Sequence, residues 1–324
     1  MNAADLRVSV LLCVYTEARW DDMLAAVDSA RRQSVPPGEI IIIVDHNPAL
    51  YHRLCATFSD LRVIENEEAP GLSGARNTGI RAARFDLVAF LDDDATAAPD
   101  WLEQMTQHLV DERVLGVGSR VEPNWVGVTP PRWFPEEFYW VVGCSYRGLP
   151  EHTAVVRNPF GGAMCIRKEA VIETGGFRTG IGRNAQRPMG CEETEFAIRA
   201  TQHWPDRIFL YEPRAAIFHK VTPQRARFRY FLSRCYFEGV SKASMALEVG
   251  ASDGLSEERS YTLRVLPVGV VRGLVDGVRA RSLRGPAKAA AIVAGFLATV
   301  AGFTVETVRQ QWTTLRARLR PHYA

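Results

Sequence analysis

Residues 8–14 form an apolar run broken only by Ser9, the pattern of a strand buried on both faces of a parallel sheet. The run ends at Tyr15-Thr16-Glu17, after which Trp20, Met23, Leu24, Val27 and Ala30 recur at helical spacing until Pro36-Pro37-Gly38 stops them. The alternation then repeats. Glu39 leads four isoleucines and Val44 into Asp45-His46-Asn47, a helix passes through Leu50, Tyr51, Leu54 and Cys55, and Leu61-Arg62-Val63-Ile64 reads as a short strand. Gly71-Leu72-Ser73-Gly74 opens a helix that runs to Arg84, and Leu87-Val88-Ala89-Phe90-Leu91 delivers the chain to Asp92-Asp93-Asp94. This succession predicts βαβ units with right-handed crossovers, hence an α/β fold with a mostly parallel sheet flanked by helices. Such sheets bind ligands at the carboxyl ends of their strands, where Thr16-Glu17, Asp45 and Asp92 all fall.

Further on, the spacing predicts a helix over 101–110, a strand over 114–121, a helix over 169–174, another opening at Glu192, and strands at 208–210 and 215–218 that lead to His219. Between them, residues 122–147 are rich in Trp, Pro and Tyr; Trp125, Trp133, Phe134, Phe138, Tyr139 and Trp140 are expected to pack this loop down, with one or two stacking on a sugar. The character changes after Thr222. Arg225, Arg227, Arg229 and Arg234 alternate with Phe228, Tyr230, Phe231, Tyr236 and Phe237, a basic aromatic face suited to a phospholipid interface or an acceptor phosphate. Residues 261–278 are apolar but cut by Arg264, Arg272 and Asp276. Residues 289–305 are uncharged over 17 positions, short of the ~20 needed to span a bilayer, and basic on both flanks. An interfacial or re-entrant helix pair is expected, with a helical hairpin packed on the domain or a homodimer contact as the alternatives. The domains are therefore 1–220, an α/β unit, and 221–324, a basic, amphipathic, α-helical region.

Charge sharpens that division. Net charge is +2, but residues 220–324 carry 17 Lys and Arg against 7 Asp and Glu, which leaves 22 against 30 for the residues before them. The acidic part should hold cations and the basic part should face something anionic. A membrane surface is expected rather than nucleic acid, since no zinc-finger, RRM or basic-helix pattern is present. The six cysteines show no CxxC pair and lie mostly in apolar runs, which fits reduced thiols in a cytoplasmic setting. Residues 1–5 have no basic lead into a signal-like core, so the expected location is cytoplasmic, peripheral on the inner face of the membrane.

Three adjacent carboxylates released by a buried strand repel one another unless a cation or hydrogen-bond donors meet them. Hard oxygen ligands of this kind suit Mg²⁺ or Mn²⁺ shared with a substrate's phosphates. Asp94 is placed to reach the metal, Asp92 a ribose hydroxyl and Asp45 a base N–H, although Asp45 could equally cap the helix that starts at Pro48. The Gly71 to Asn77 turn is either an anion-binding helix start with Arg76 turned to a pyrophosphate or a glycine-capped surface turn.

CVYTEARW, IIIIVDHN, GLSGARNTGI and FLDDD, in that order and near these spacings, resemble the donor half of the inverting family 2 glycosyltransferases with the GT-A fold, over roughly residues 6–220. The resemblance implies that Asp92 and Asp94 are the ends of the motif that holds the divalent ion, that Asp45 contacts the base, and that Thr16, Glu17, Arg19, Gly71, Ala75, Arg76 and Asp93 belong to the nucleotide-contacting loops. The family presents Glu-Asp at a helix start for the base; here the pair is Glu192-Glu193, so Glu193 is expected as base and Glu192 as its helper, although acids also favour a first helical turn for its dipole alone. His219 occupies the place of a residue that completes the metal site. Gly161-Gly162 resembles the family's glycine turn beneath the acceptor; a bulge in an edge strand would favour glycine as well. VDHNPALY and WFPEEFYWVVGCSYRGLP are loosely similar to members that act as glucuronosyltransferases on glucosyl-dolichyl phosphate. Gln224-Arg225-Ala226-Arg227-Phe228 stands in place of the QxxRW of processive members, which implies single-sugar transfer.

The expectation is thus a metal-dependent inverting transferase that moves one sugar from a nucleotide-sugar donor, a UDP-sugar, to a lipid-linked or other glycan acceptor. Its rivals are a nucleotidyltransferase, which would want a glycine-rich, Lys-bearing first loop, and a non-catalytic membrane-associated sugar-nucleotide or glycan-binding protein.

Overall fold

The computed structural model describes residues 6–179, 190–250 and 256–318; residues 1–5, read above for a targeting signal, lie outside them. The first four units form as the periodicity predicts: β1 (Val8–Val14), α1 (Trp20–Arg31), β2 (Glu39–Val44), α2 (Pro48–Thr57), β3 (Arg62–Glu65), α3 (Leu72–Ala82) and β4 (Leu87–Leu91). Their strands lie in the order β3-β2-β1-β4, all parallel. Leu11, Ile41, Ile43 and Phe90 point to one side of the sheet, and Val10, Leu12, Ile42 and Leu91 to the other, so both faces are core.

Beyond β4 the sheet becomes mixed. β5 (Ala95–Ala97), α4 (Trp101–Thr106), β6 (Val114–Trp125), β7 (Ala154–Val156), β8 (Ala163–Arg167), α5 (Lys168–Glu173), α6 (Glu192–His203) and β9 (Ile208–Val221) follow. β8 runs antiparallel to both β4 and β6, β9 is parallel to β6, and β5 and β7 pair antiparallel with β9. The two short strands expected near 208–218 are one strand of 14 residues. Its register against β6 slips between Ser119 and Arg120, beside buried Glu212, whose carboxylate accepts from Arg214, His108 and Thr153. Pro213 and that polar turn interrupt the hydrophobic pattern without interrupting the strand.

The C-terminal region consists of α7 (Phe228–Val249), α8 (Leu266–Arg279) and α9 (Arg284–Arg318). Trp133, Phe134, Phe138 and Phe231 pack ring against ring, which joins the Trp-rich loop to α7. Packing is thus the main task of these aromatics, as expected. The helices themselves meet backbone to backbone: a Cβ on Gly239 would lie 2.0 Å from the Thr299 carbonyl oxygen, and one on Gly302 only 1.9 Å from that of Tyr236. In the hairpin of α8 and α9, α9 therefore packs on α7, while α8 meets the Trp-rich loop, with Arg272 Nη1 3.2 Å from Glu137 Oε1. α9 is also longer than the uncharged run suggested. It continues for 35 residues, because Glu306 is buried and pairs with Arg309 one turn on instead of ending the helix. Its Arg284–Thr313 portion is long and apolar enough to cross a membrane by length and composition, and 33% of its most apolar window is buried against the protein.

Substituting Gly239 by Ala should push α7 and α9 apart, lowering stability by about 1–3 kcal/mol. The denaturant midpoint measures this; an unchanged midpoint would mean that the two helices are not in contact at this crossing.

Candidate active site

The turn after β4 carries Asp92, Asp93 and Asp94, and three segments distant in sequence converge on it. Arg19, at the end of the turn after β1, places Nη1 2.5 Å from Asp93 Oδ1 and Nη2 3.3 Å from Asp94 Oδ2. The pairing of β5 with β9 sets Ala95 opposite His219, which brings His219 Nε2 to 3.3 Å from Asp94 Oδ1. Arg225, just past β9, reaches Asp94 Oδ2 at 3.4 Å and His219 Nε2 at 3.1 Å. Burial alone would push Asp94 up, but His219, Arg19 and Arg225 overcome it and hold the carboxyl well below the usual range. Asp93 goes the other way: burial, with Asp94 and Asp92 beside it, pushes it up to about 7 against the pull of Arg19.

Asp92, Asp94 and His219 offer ligand atoms that all lie within 4.8 Å of one another. Two hard oxygens with an imidazole suit a divalent ion such as Mn²⁺, and the buried Asp93 Oδ2, which has no hydrogen-bond partner, marks the turn as short of positive charge. The donor set therefore fits a metal. Gly162 closes over Asp92 so tightly that a Cβ there would lie 2.1 Å from the Asp92 carboxylate, and one on Gly161 would lie 2.8 Å from the Arg76 guanidinium. Glycine is required at this turn by the site itself.

The remaining residues expected in the nucleotide-contacting loops sort into surface and support. Asp45 is not the cap of α2; Asn47 is, accepting from Leu50 N at 3.1 Å. The Asp45 carboxylate accepts instead from Asn66 Nδ2 at 2.7 Å and from Gly71 N at 2.9 Å, which fixes the loop that opens α3. Thr16 accepts from Ala18 N and so caps the short turn Glu17–Arg19, and Glu17 is exposed, 3.8 Å from Arg53. Ala75 is fully buried in the core, where its small side chain lets α3 sit close to the sheet.

Arg76 is also buried, against the rings of both Phe90 and Phe177, with Nη1 3.1 Å from Glu192 Oε1. It thereby neutralises one carboxylate of the second acidic pair, at the start of α6. Glu192 Oε2 is buried with no partner. Glu193 is half-buried, and burial together with the adjacent Glu192 pushes its carboxyl up to about 7, against Arg76 and Lys242. α7 anchors this helix start: Gly190 N donates to Ser241 Oγ at 3.2 Å, and the Cys191 thiol lies 3.8 Å from Glu238 Oε1.

A cleft of about 470 Å³ runs between the sheet and the C-terminal helices, with Arg76, Asp92, Glu192, Glu193 and His219 among its lining residues. The sequence did not mark four other charged members, Arg157, Glu238, Lys242 and Glu258, and the basic aromatic face it suggested is divided. Arg225 and Arg234 are turned inward, Phe231 is buried, and only Arg227, Phe228 and Arg229 face solvent. No local pattern distinguishes these cases, since the destination of each guanidinium depends on which acid the fold brings near it.

Residues 9–175 match the family described as "Glycosyl transferase family 2". The chain belongs to this family. Over 91% of its length and 94% of the relative's, it is 33% identical to the glucosyl-dolichyl phosphate glucuronosyltransferase of Haloferax volcanii. Its fold is shared with a mannosyltransferase from Pyrobaculum calidifontis in complex with GDP-Man and Mn²⁺ (TM-score 0.55, 20% identity, 98% of this chain and 86% of that one) and with GalNAc-T7 with UDP, GalNAc and Mn²⁺ (TM-score 0.54, 18% identity, 79% and 54%). The mixed sheet is the GT-A fold that the motifs implied. This family 2 glycosyltransferase thus carries its acidic turn within the matched segment, and Glu193 and His219 outside it.

Proposed function

We propose that the protein transfers a single sugar, with inversion, from a UDP-sugar to a hydroxyl of a lipid-linked saccharide, with Glu193 as the base. The observation that carries this reading is the placement of Glu193 in the same cleft as Asp92 and His219, with a carboxyl raised to about 7. A base with that affinity for protons is matched to neutral pH. Glu193 takes the proton from the acceptor hydroxyl as its oxygen attacks the anomeric carbon on the face opposite the nucleotide. Glu192, with one oxygen on Arg76 and the other unpartnered, has an acceptor site for a sugar hydroxyl. Asp92, Asp94 and His219 would hold the divalent ion, which supplies positive charge to the departing diphosphate. Arg19, Asp45, Gly71 and Arg76 shape the donor side around it. The lipid-linked acceptor is supported by the likeness to the Haloferax transferase and by the exposed apolar side chains of α8 and α9, among them Val271, Leu274, Val278 and Leu297. With Arg279, Arg281 and Arg284 nearby, these would rest the protein on the cytoplasmic face of an anionic membrane.

Calorimetry with a panel of UDP-, GDP- and dTDP-sugars should find Mn²⁺-dependent binding of one UDP-sugar, lost in EDTA and in Asp94→Ala. Failure of every nucleotide sugar under both conditions would sink the transferase reading. Glu193→Gln should lower kcat by about 10²–10⁴-fold with donor affinity unchanged. Because the base works only when ionised, kcat/KM of the native protein should climb as pH rises through about 7; a flat profile from pH 6 to 8 would remove Glu193 from that role. Co-sedimentation with vesicles containing phosphatidylglycerol should be strong at low salt and reduced by Leu274→Glu combined with Val278→Glu; equal recovery of both proteins would place the membrane contact elsewhere.

A further inference from the structure

We propose that Arg157 and Lys242 form a subsite for the phosphate of an amphiphilic acceptor, and that the Glu258 carboxylate occupies this subsite in the free protein. The proposal rests on the transferase reading above and assigns the part of the cleft that reading leaves unused. Arg157 Nη1 and Nη2 donate to the two oxygens of Glu258 at 2.7 and 2.9 Å, and Lys242 Nζ lies 2.7 Å from Glu258 Oε1. A guanidinium fork closed on two oxygens, with an ammonium beside it, is equally the geometry of phosphate recognition.

The three groups are held unequally. Glu238 lies 3.6 Å from both Arg234 and Lys242, which ties Lys242 to its own helix independently of Glu258. Arg157 and Lys242 have side chains only 12% exposed, whereas Glu258 is 28% exposed and sits on the five-residue turn Ser256–Ser260. Of the three groups, Glu258 is the one placed to leave. Its neighbours hold its carboxyl at about 2, so it stays ionised and competes with a ligand anion throughout the neutral range.

The chemistry that lines the cleft matches one kind of molecule. Cys191 touches Glu238 and is followed by Glu192 and Glu193. Tyr261, Val265 and Leu266, which follow Glu258 in the chain, line the same cleft, as does Phe296 of α9. Leu266 opens α8, whose Val271, Leu274 and Val278 are exposed. A hydroxyl at Glu193, an anion at Arg157 and Lys242 and an apolar tail over Leu266 describe a saccharide joined through phosphate to a lipid.

The test compares farnesyl phosphate, farnesol and inorganic phosphate as ligands of the full chain, with nucleotide-sugar binding measured on every protein. Farnesyl phosphate should bind at least about tenfold more tightly than farnesol, and Arg157→Gln should erase most of that difference. Glu258→Gln should tighten farnesyl phosphate several-fold and leave farnesol unchanged, a gain that misfolding cannot produce. Equal affinities for the phosphate and the alcohol, or no gain in Glu258→Gln while donor binding is intact, would overturn the subsite and leave the transferase reading standing. Inorganic phosphate that bound as tightly as farnesyl phosphate would also overturn it, by assigning the cations to a free anion. Loss of all nucleotide-sugar binding in the native protein would instead count against the transferase reading itself.

Discussion

The structure depends on neutralising the turn at Asp92-Asp93-Asp94. Three carboxylates that leave a buried strand together cannot all ionise without counter-charge, and the protein supplies it from Arg19 after β1 and Arg225 beyond β9, with His219 of β9 as a further polar partner of Asp94. Each of these positions follows from the sheet. β4 is central and β5 is at the far edge, so the turn between them crosses the mouth of the sheet, and β9 must run antiparallel to β5 for His219 to meet Asp94. The result separates the three acids into different roles. Asp94 is tied down and firmly ionised, Asp93 is held near neutrality, and Asp92 faces the cleft under Gly162.

The second acidic pair solves the same problem by division. Arg76 is spent on Glu192, and Glu193 is left with burial and a like-charged neighbour to raise it. Two adjacent carboxylates with environments that push them apart are what separates a binding group from a proton acceptor. The helix dipole works against the raised value, since acids in a first turn are favoured as anions. Burial and Glu192 outweigh it here.

Much of this was legible in the sequence, and the limits are physical. The buried parallel strands announce themselves as apolar runs, and the acids at their ends follow from where such strands stop. Asp45 was readable as important but not as the clamp on Gly71, because a cap and a loop tie use the same residue type and differ only in partner; Asn47 took the cap. The uncharged run 289–305 says little about the length of α9, because Glu306, which ends the run, is buried and paired within the helix. His219 has no local signal at all, and its place comes from a strand pairing more than a hundred residues away in sequence.

The C-terminal helices complete the active cleft rather than decorate it. The family match ends at residue 175, so it takes in the acidic turn, while Glu193, His219 and the far wall lie outside it. α6 begins at Cys191, whose backbone is left-handed (φ 78) and whose side chain makes no cap, so its start is fixed by contacts to α7 instead. α7 in turn is held by close backbone crossings with α9. The position of Glu193 relative to the acidic turn is therefore set by helix packing in the region with the fewest recognisable motifs. A change in how α7 and α9 cross would move the start of α6, with Glu192 and Glu193, and leave Asp92, Asp93 and Asp94 where they are.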